Sequence, residues 1–226
     1  MENTTPNQAY LAELATSLGA SLVGFCKCET AFTPLAPHLQ SAISIAVKIS
    51  DTVLSTIEDK PSYIYFQQYR TANALLDSIA FRLGQEIEKM GYDAMPIAAS
   101  QSQGKEGAYY GVVPHKTVAV LSGLGFVGKS GLFISTEYGS KIRLATILTD
   151  MPLERTRALV PNGCGACEKC KNACPAGAIF GIPPKTNGER NFDPDLCSHY
   201  MKAQFQDIGR GSVCGICIKV CPYNHL

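Results

Sequence analysis

The sequence predicts a two-part chain: an α/β layered domain over residues 1–157 and a small cysteine-rich domain over residues 158–226. Three observations carry this. Apolar residues recur with helical and strand periods up to about residue 150 and then fade. Helical and extended stretches alternate through that part, the pattern of a layered core. Eight of the ten cysteines fall after residue 163.

Taken in order, "QAYLAELATSL" (8–18) places Tyr10, Leu11, Leu14, Ala15 and Leu18 on one helical face, and Gly19 ends the helix. "SLVGF" (21–25) and "AISIAVKI" (42–49) read as buried strands, with the Pro-punctuated "FTPLAPHL" between them. From Tyr63 to Met90 apolar residues step by three and four, a long helix closed by Gly91. "DAMPIAAS" (93–100) reads as a short strand and "SQGKEGAYYG" (102–111) as a polar loop. "LFIST" (132–136) and "KIRLATILTD" (141–150) read as a hairpin around "EYGS". "MPLERTRALVPNG" (151–163) is a connector, and the boundary is expected near residue 157.

With 46% hydrophobic residues among 226, a proper core is possible. The net charge of +1 leaves no basic footprint for nucleic acid. The start, "MENTTPNQAY", has neither a basic n-region nor an apolar run, and no apolar stretch is long enough to span a bilayer. A cytoplasmic protein with no membrane partner is expected. Clustered cysteines in such a chain point to metal rather than to disulfides.

"CGACEKCKNACP" places Cys164, Cys167, Cys170, Cys174 and Pro175 in the spacing C-x2-C-x2-C-x3-C-P, the bacterial ferredoxin run. Three cysteines in a tight loop can wrap three corners of a cubane, and the fourth ligates the other cluster in two-cluster ferredoxins. By the same rule Cys221, followed by Pro222, goes to the first cluster. Cys214, Cys217 and the crossing Cys174 then need one more thiolate, and Cys197 is the one left downstream. The second domain is thus expected to be bacterial-ferredoxin-like, with two 4Fe-4S clusters. Two four-thiolate zinc sites could use the same eight residues, but zinc favours separated pairs over this run. Cys26 and Cys28, in "GFCKCET", are expected to have no metal role.

"GLGFVGKSG" (123–131) fits both G-x-G-x-x-G and G-x4-G-K-S. Gly123, Gly125, Gly128, Lys129 and Ser130 are therefore candidate cofactor-binding residues, with Asp150 as an acidic partner further on. A phosphate loop must open a helix, whereas "SGLFIST" reads as extended. A Gly-rich backbone also lets a cofactor or another segment come close.

"GLGFVGKSGLFI", "RLATILTDMPLE", "CGACEKCKNACPAGAI" and "CGICIKVCPYN" occur in this order, and "LGASLVGF" and "AISIAVKI" fit as well. In these motifs the chain resembles the epoxyqueuosine reductase family, whose core is similar to that of corrinoid reductive dehalogenases. The resemblance implies an α/β cobalamin-binding domain followed by a domain with two 4Fe-4S clusters that feed electrons to cobalt. It implies one cluster on Cys164, Cys167, Cys170 and Cys221 and the other on Cys174, Cys197, Cys214 and Cys217. The family's catalytic Asp segment corresponds here to "GVVPHKTVAVLSG", which has no Asp. The family's helical-repeat domain would follow Cys221, where only five residues remain. A tRNA substrate is therefore not expected.

His115 and Lys116 stand where that Asp segment would lie, and His115 is a candidate proton donor. Tyr109 and Tyr110 are two more, as tyrosines are in the similar dehalogenases. Lys141 and Arg143 could share a face of one strand, and His199 could cover a cluster sulfur. The expected function is an oxidoreductase passing electrons through two 4Fe-4S clusters to a cofactor such as cobalamin, or to a small substrate. The alternative is a non-catalytic electron-transfer protein that reduces a partner such as a corrinoid protein. A third reading is a cluster-bearing nucleotide-binding protein. An electron donor such as a ferredoxin or flavodoxin is implied.

Overall fold

The computed structural model describes residues 5–27, 30, 32–100, 109, 111–184 and 190–225. The chain forms two compact units, each discontinuous in sequence. The first comprises Met1–Lys48, Ala72–Gly125 and Arg143–Val160, and the second Ile49–Thr71, Phe126–Ile142 and Pro161–Leu226. The cysteine-rich segment after residue 160 thus shares its unit with two earlier pieces of chain. Its own helices are too short to enclose a core, and apolar side chains from 49–71 and 126–142 are buried in that unit.

In the first unit, α1 (Pro6–Ser17) starts at Thr5, whose hydroxyl accepts the Gln8 N–H at 3.3 Å, with Pro6 in the first turn. Leu11 and Ala15 are fully buried, while Tyr10, expected on the same face, is 44% exposed. The polar Gln8 takes the inward place instead, because its side chain donates to the Glu154 carbonyl at 2.9 Å. β1 (Leu22–Lys27) and β2 (Ser41–Lys48) pair antiparallel, with Gly24 opposite Ser44 and Cys26 opposite Ala42. β3 (Ala94–Ile97) pairs antiparallel with β6 (Ile142–Thr149), and the sheet order is β1-β2-β6-β3. β2 and β6 are central and buried along nearly every residue, as their unbroken apolar runs require. α1 packs on β1, and α4 (His115–Leu121) packs on β1 and β2. In α3 (Tyr63–Lys89), Ala72, Leu76, Ile79, Leu83 and Ile87 are buried at helical spacing.

In the second unit, α2 (Asp51–Ser55), α5 (Lys169–Ala173), α6 (Pro194–Gln204) and α7 (Ile216–Lys219) are short, and a 3-10 turn spans Pro222–His225. α7 packs on α2 and α5. β4 (Gly125–Val127) and β5 (Phe133–Ser135) form a separate two-stranded sheet. The hairpin expected between 132–136 and 141–150 is therefore not formed. β5 pairs back onto β4, while β6, apolar on both faces, takes a central place in the larger sheet. A bridge from Ser135 to Gly139 closes the turn between them. Among the described residues no helix is long and apolar enough to cross a membrane.

Candidate metal centre

Local structure sets out the cysteines one by one. Cys164 and Cys167 share a turn closed by the Cys167 N–H on the Cys164 carbonyl at 2.9 Å. Cys170 lies in α5, and Cys174 leaves that helix in an extended conformation. Cys197 lies in α6, whose first turn Asp193 caps by accepting from the Asp195 and Leu196 N–H groups at 2.9 and 3.1 Å. Cys214 precedes α7, Cys217 lies in it, and Cys221 follows it with its N–H on the Ile218 carbonyl at 3.1 Å.

These positions gather into two groups. A small cleft is lined by Cys164, Cys167, Cys170, Cys217 and Cys221 together with Lys129 and Ser130. Cys221 is an electrostatic neighbour of Cys164 and Cys167, and Cys170 of the same two. Cys197 instead has Cys174 and Cys214 as neighbours. Cys217 has Cys214, Cys197 and Cys174, and also Cys170, so the groups approach each other there.

The thiols fit iron. Burial pushes Cys170, Cys214 and Cys221 above the ordinary thiol range, Cys197 up to about 11, and Cys217 further still. Neighbouring thiolates add to the rise. Buried thiolates in such numbers need a cation to be stable, and the thiolate is the form that ligates metal. The backbone already points donors at the sulfurs: the Ile216 N–H favours the Cys214 thiolate, and the Tyr223 N–H and Ser140 hydroxyl that of Cys221. Among the described residues no three His, Cys, Asp or Glu side chains converge on one ion-sized point. A cubane asks for something different, four thiolates on four separate irons.

The glycine stretch divides between the units. Gly123, at φ +73°, lies under the first unit's connector, where a Cβ would meet the Arg157 Cβ and carbonyl at 2.7 Å. Gly125 opens β4. Gly128 belongs to the second unit, where a Cβ would stand 2.5 Å from the Ile134 Cδ1 and 3.3 Å from the Cys164 Sγ, so its bareness makes room for the ligand loop. Lys129 is 8% exposed and donates to the Cys167 carbonyl at 3.1 Å. The Ser130 hydroxyl accepts the Leu132 N–H at 3.4 Å. The chain turns straight into β5 and opens no helix, so the geometry of a phosphate loop is not formed.

The candidate proton donors His115, Lys116 and Tyr109 belong to the first unit. His115 contacts the Thr146 hydroxyl through Nδ1 at 2.7 Å and the Ala98 carbonyl through Nε2 at 3.0 Å. A carbonyl only accepts, so Nε2 carries the hydrogen and Nδ1 accepts from Thr146. Burial pushes the imidazole pKa down, which agrees with this neutral tautomer. Lys116 reaches the surface, yet the protein packed about it also pushes its pKa down. Tyr109 is 41% exposed, and Tyr110 and Cys28 lie outside the described residues. Cys26 is buried, with its sulfur 3.8 Å from the Val118 carbonyl.

Lys141 and Arg143 take different partners. Arg143 donates to Asn73 in the first unit, whereas Lys141 stands just before β6, in the second. There its ammonium donates to Asp51 and to the Asn224 carbonyl. The buried Asn224 side chain accepts from the Ser140 N–H at 2.9 Å and donates to the Ile218 carbonyl at 2.6 Å. This clasp around Cys221 escaped sequence reasoning. Its members are scattered from residue 51 to 224, and no local pattern joins them. His199 spends Nδ1 on the Asp195 carbonyl one turn back and stays exposed.

Residues 163–224 match the family model of the 4Fe-4S double cluster binding domain. This segment is a double-cluster iron–sulfur domain. The chain around it is similar to an epoxyqueuosine reductase of Lactococcus garvieae, 35% identical over 117 residues, which are 50% of this chain and 33% of the relative. It is also similar to a tetrachloroethene reductive dehalogenase of Sulfurospirillum multivorans, 32% identical over 154 residues, 62% of this chain and 27% of the relative. The chain thus spans about a third of these relatives. A solved reductive dehalogenase shares the fold, with TM-score 0.74 at 22% identity, covering 96% of this chain and 32% of that one. The chain with this double-cluster domain is therefore related to both groups.

Proposed function

We propose that the chain is an iron–sulfur oxidoreductase that passes single electrons through two 4Fe-4S clusters to an acceptor carried by its first unit. The observation that carries this is the sorting of eight thiols into two sets of four, Cys164, Cys167, Cys170 and Cys221 against Cys174, Cys197, Cys214 and Cys217. Each cluster, when bound, takes up and releases one electron at a time. The residues supply the rest. Partial burial of the thiols and the cleft wall limit water at the sulfurs, and nearby donors favour the thiolate form. Cys217, within electrostatic reach of Cys170, marks where the two sets approach.

The acceptor we infer is a corrinoid such as cobalamin, or a small substrate. The support lies in the relatives, since the solved dehalogenase is described in terms of B12-dependent dehalogenation. A ferredoxin or flavodoxin would supply the electrons, and a cytoplasmic setting suits that exchange. His115 favours a second reading, a non-catalytic electron carrier for a partner such as a corrinoid protein. Both its ring nitrogens are engaged, so it is a pin rather than a free proton donor.

Anaerobic reconstitution followed by iron and sulfide counting and a visible spectrum with added cobalamin tests these readings. About eight irons, as two cubanes require, with a spectral change on adding cobalamin support the oxidoreductase. Eight irons without corrinoid binding favour the carrier. Two zinc ions and no sulfide would sink both.

A further inference from the structure

Lys129 is a buried ammonium whose charge has no assigned use. It is 8% exposed and lines the cleft with Cys164, Cys167, Cys170 and Cys221, and with Cys217 of the other set. Its Nζ donates to the Cys167 carbonyl at 3.1 Å, inside the ligand loop itself. Its backbone is pinned, because the buried Asn191 amide donates to the Gly128 and Lys129 carbonyls at 2.9 and 3.0 Å. Among the described residues no carboxylate forms an ion pair with it. Glu168 stands near enough to feel its charge, but that carboxylate is exposed and bonds Lys171 at 3.0 Å. A buried ammonium with no carboxylate in direct contact is costly. Four thiolates around an iron cluster would supply that counter-charge. The other thiol group has a different neighbour: the Asp193 carboxylate acts on Cys197, a charge of the opposite sign.

We propose that Lys129 tunes the cluster held by Cys164, Cys167, Cys170 and Cys221 to the higher reduction potential, so that it fills with an electron before the other. The proposal rests on the cluster assignment above. One-electron reduction adds one negative charge to the site and breaks no bond. A fixed positive charge in a poorly screened cleft stabilises the state with the extra electron. Asp193 opposes the same step at the other set of thiols.

The test is an anaerobic potentiometric titration followed by EPR, with dithionite as the electron source and sulfite as its product. Lys129→Gln is expected to lower one of the two couples by at least about tenfold in its reduced-to-oxidised ratio, about 59 mV for one electron. The other couple should move little. The affected signal should be the one that Cys221→Ser alters, and Lys129→Arg should restore the native value. Both potentials unchanged in a Gln variant with about eight irons would overturn this proposal alone. Wild-type protein that assembles no clusters would overturn the assignment and this proposal with it. If Gln costs iron, Lys129→Met, which keeps the stem without the charge, repeats the measurement. Iron lost from Met as well but kept by Arg would overturn the tuning role, because the charge would then serve assembly.

Discussion

The two units hold their shape by different means. The first has a four-stranded sheet and most of a 27-residue helix, with Ile43, Ile45, Leu76, Leu83 and Ile147 fully buried. The second has helices of 4, 5, 5 and 11 residues, below the length at which a helix stands alone, and eight cysteines, of which Cys170, Cys197, Cys214, Cys217 and Cys221 are held back from ionising by burial. One unit is stabilised mainly by removing apolar surface from water. The other is arranged for a cofactor whose binding energy becomes folding energy.

Iron removal should break this symmetry most. Chelation of the reconstituted protein is expected to abolish amide-exchange protection across 163–224 while strands β2 and β6 stay protected. Equal loss in both units would show that the first leans on the clusters too. A smaller loss should follow Cys174→Ala. About four irons should leave, and the surviving EPR signal should belong to the cluster of Cys164, Cys167, Cys170 and Cys221. Survival of the other signal would refute the crossed assignment. Ile45→Ala acts on the opposite side of the comparison. It should cost ~2–5 kcal/mol in urea unfolding, from lost burial and the cavity left, with iron content unchanged.

The smallest effect concerns pH. The folded His115 has a pKa below 6.5, whereas the unfolded ring keeps its ordinary value. Above both values the ring is neutral in either state and stability is complete. As pH falls through 6.5 the unfolded chain takes up a proton that the folded chain resists, so stability drops. The drop ends at the folded pKa. Urea titrations at pH 7.5 and 5.5 should show a larger loss in wild type than in His115→Gln. Equal losses would remove His115 as the cause.

Much of this was legible in the sequence. The run from Cys164 to Cys174 announced its chemistry because cubane ligation fixes spacing. α3 and β2 announced themselves by the periods of their apolar residues. The pairing of β5 was misread because a three-residue strand carries no period of its own, and its partner β4 lies inside a glycine-rich stretch. That stretch matched a phosphate loop in letters only. What Gly128 and Lys129 do depends on Cys164 and Cys167, more than thirty residues away. The exposed Tyr10 illustrates another limit: a helix face is set by what it meets, here the Glu154 carbonyl that accepts from Gln8.

The clasp of Asp51, Lys141 and Asn224 has a consequence during synthesis. Asn224 follows Asp51 by 173 residues, roughly 9–35 seconds at a ribosome's ~5–20 residues per second. Ile57 and Tyr65 are wholly buried in the finished protein, with Ile57 accepting from Lys219 and Tyr65 set against Gly215. A nascent chain lacks these two covers for most of that interval. The early segment 49–71 is thus made long before its covering exists, and chaperones have that time in which to hold it.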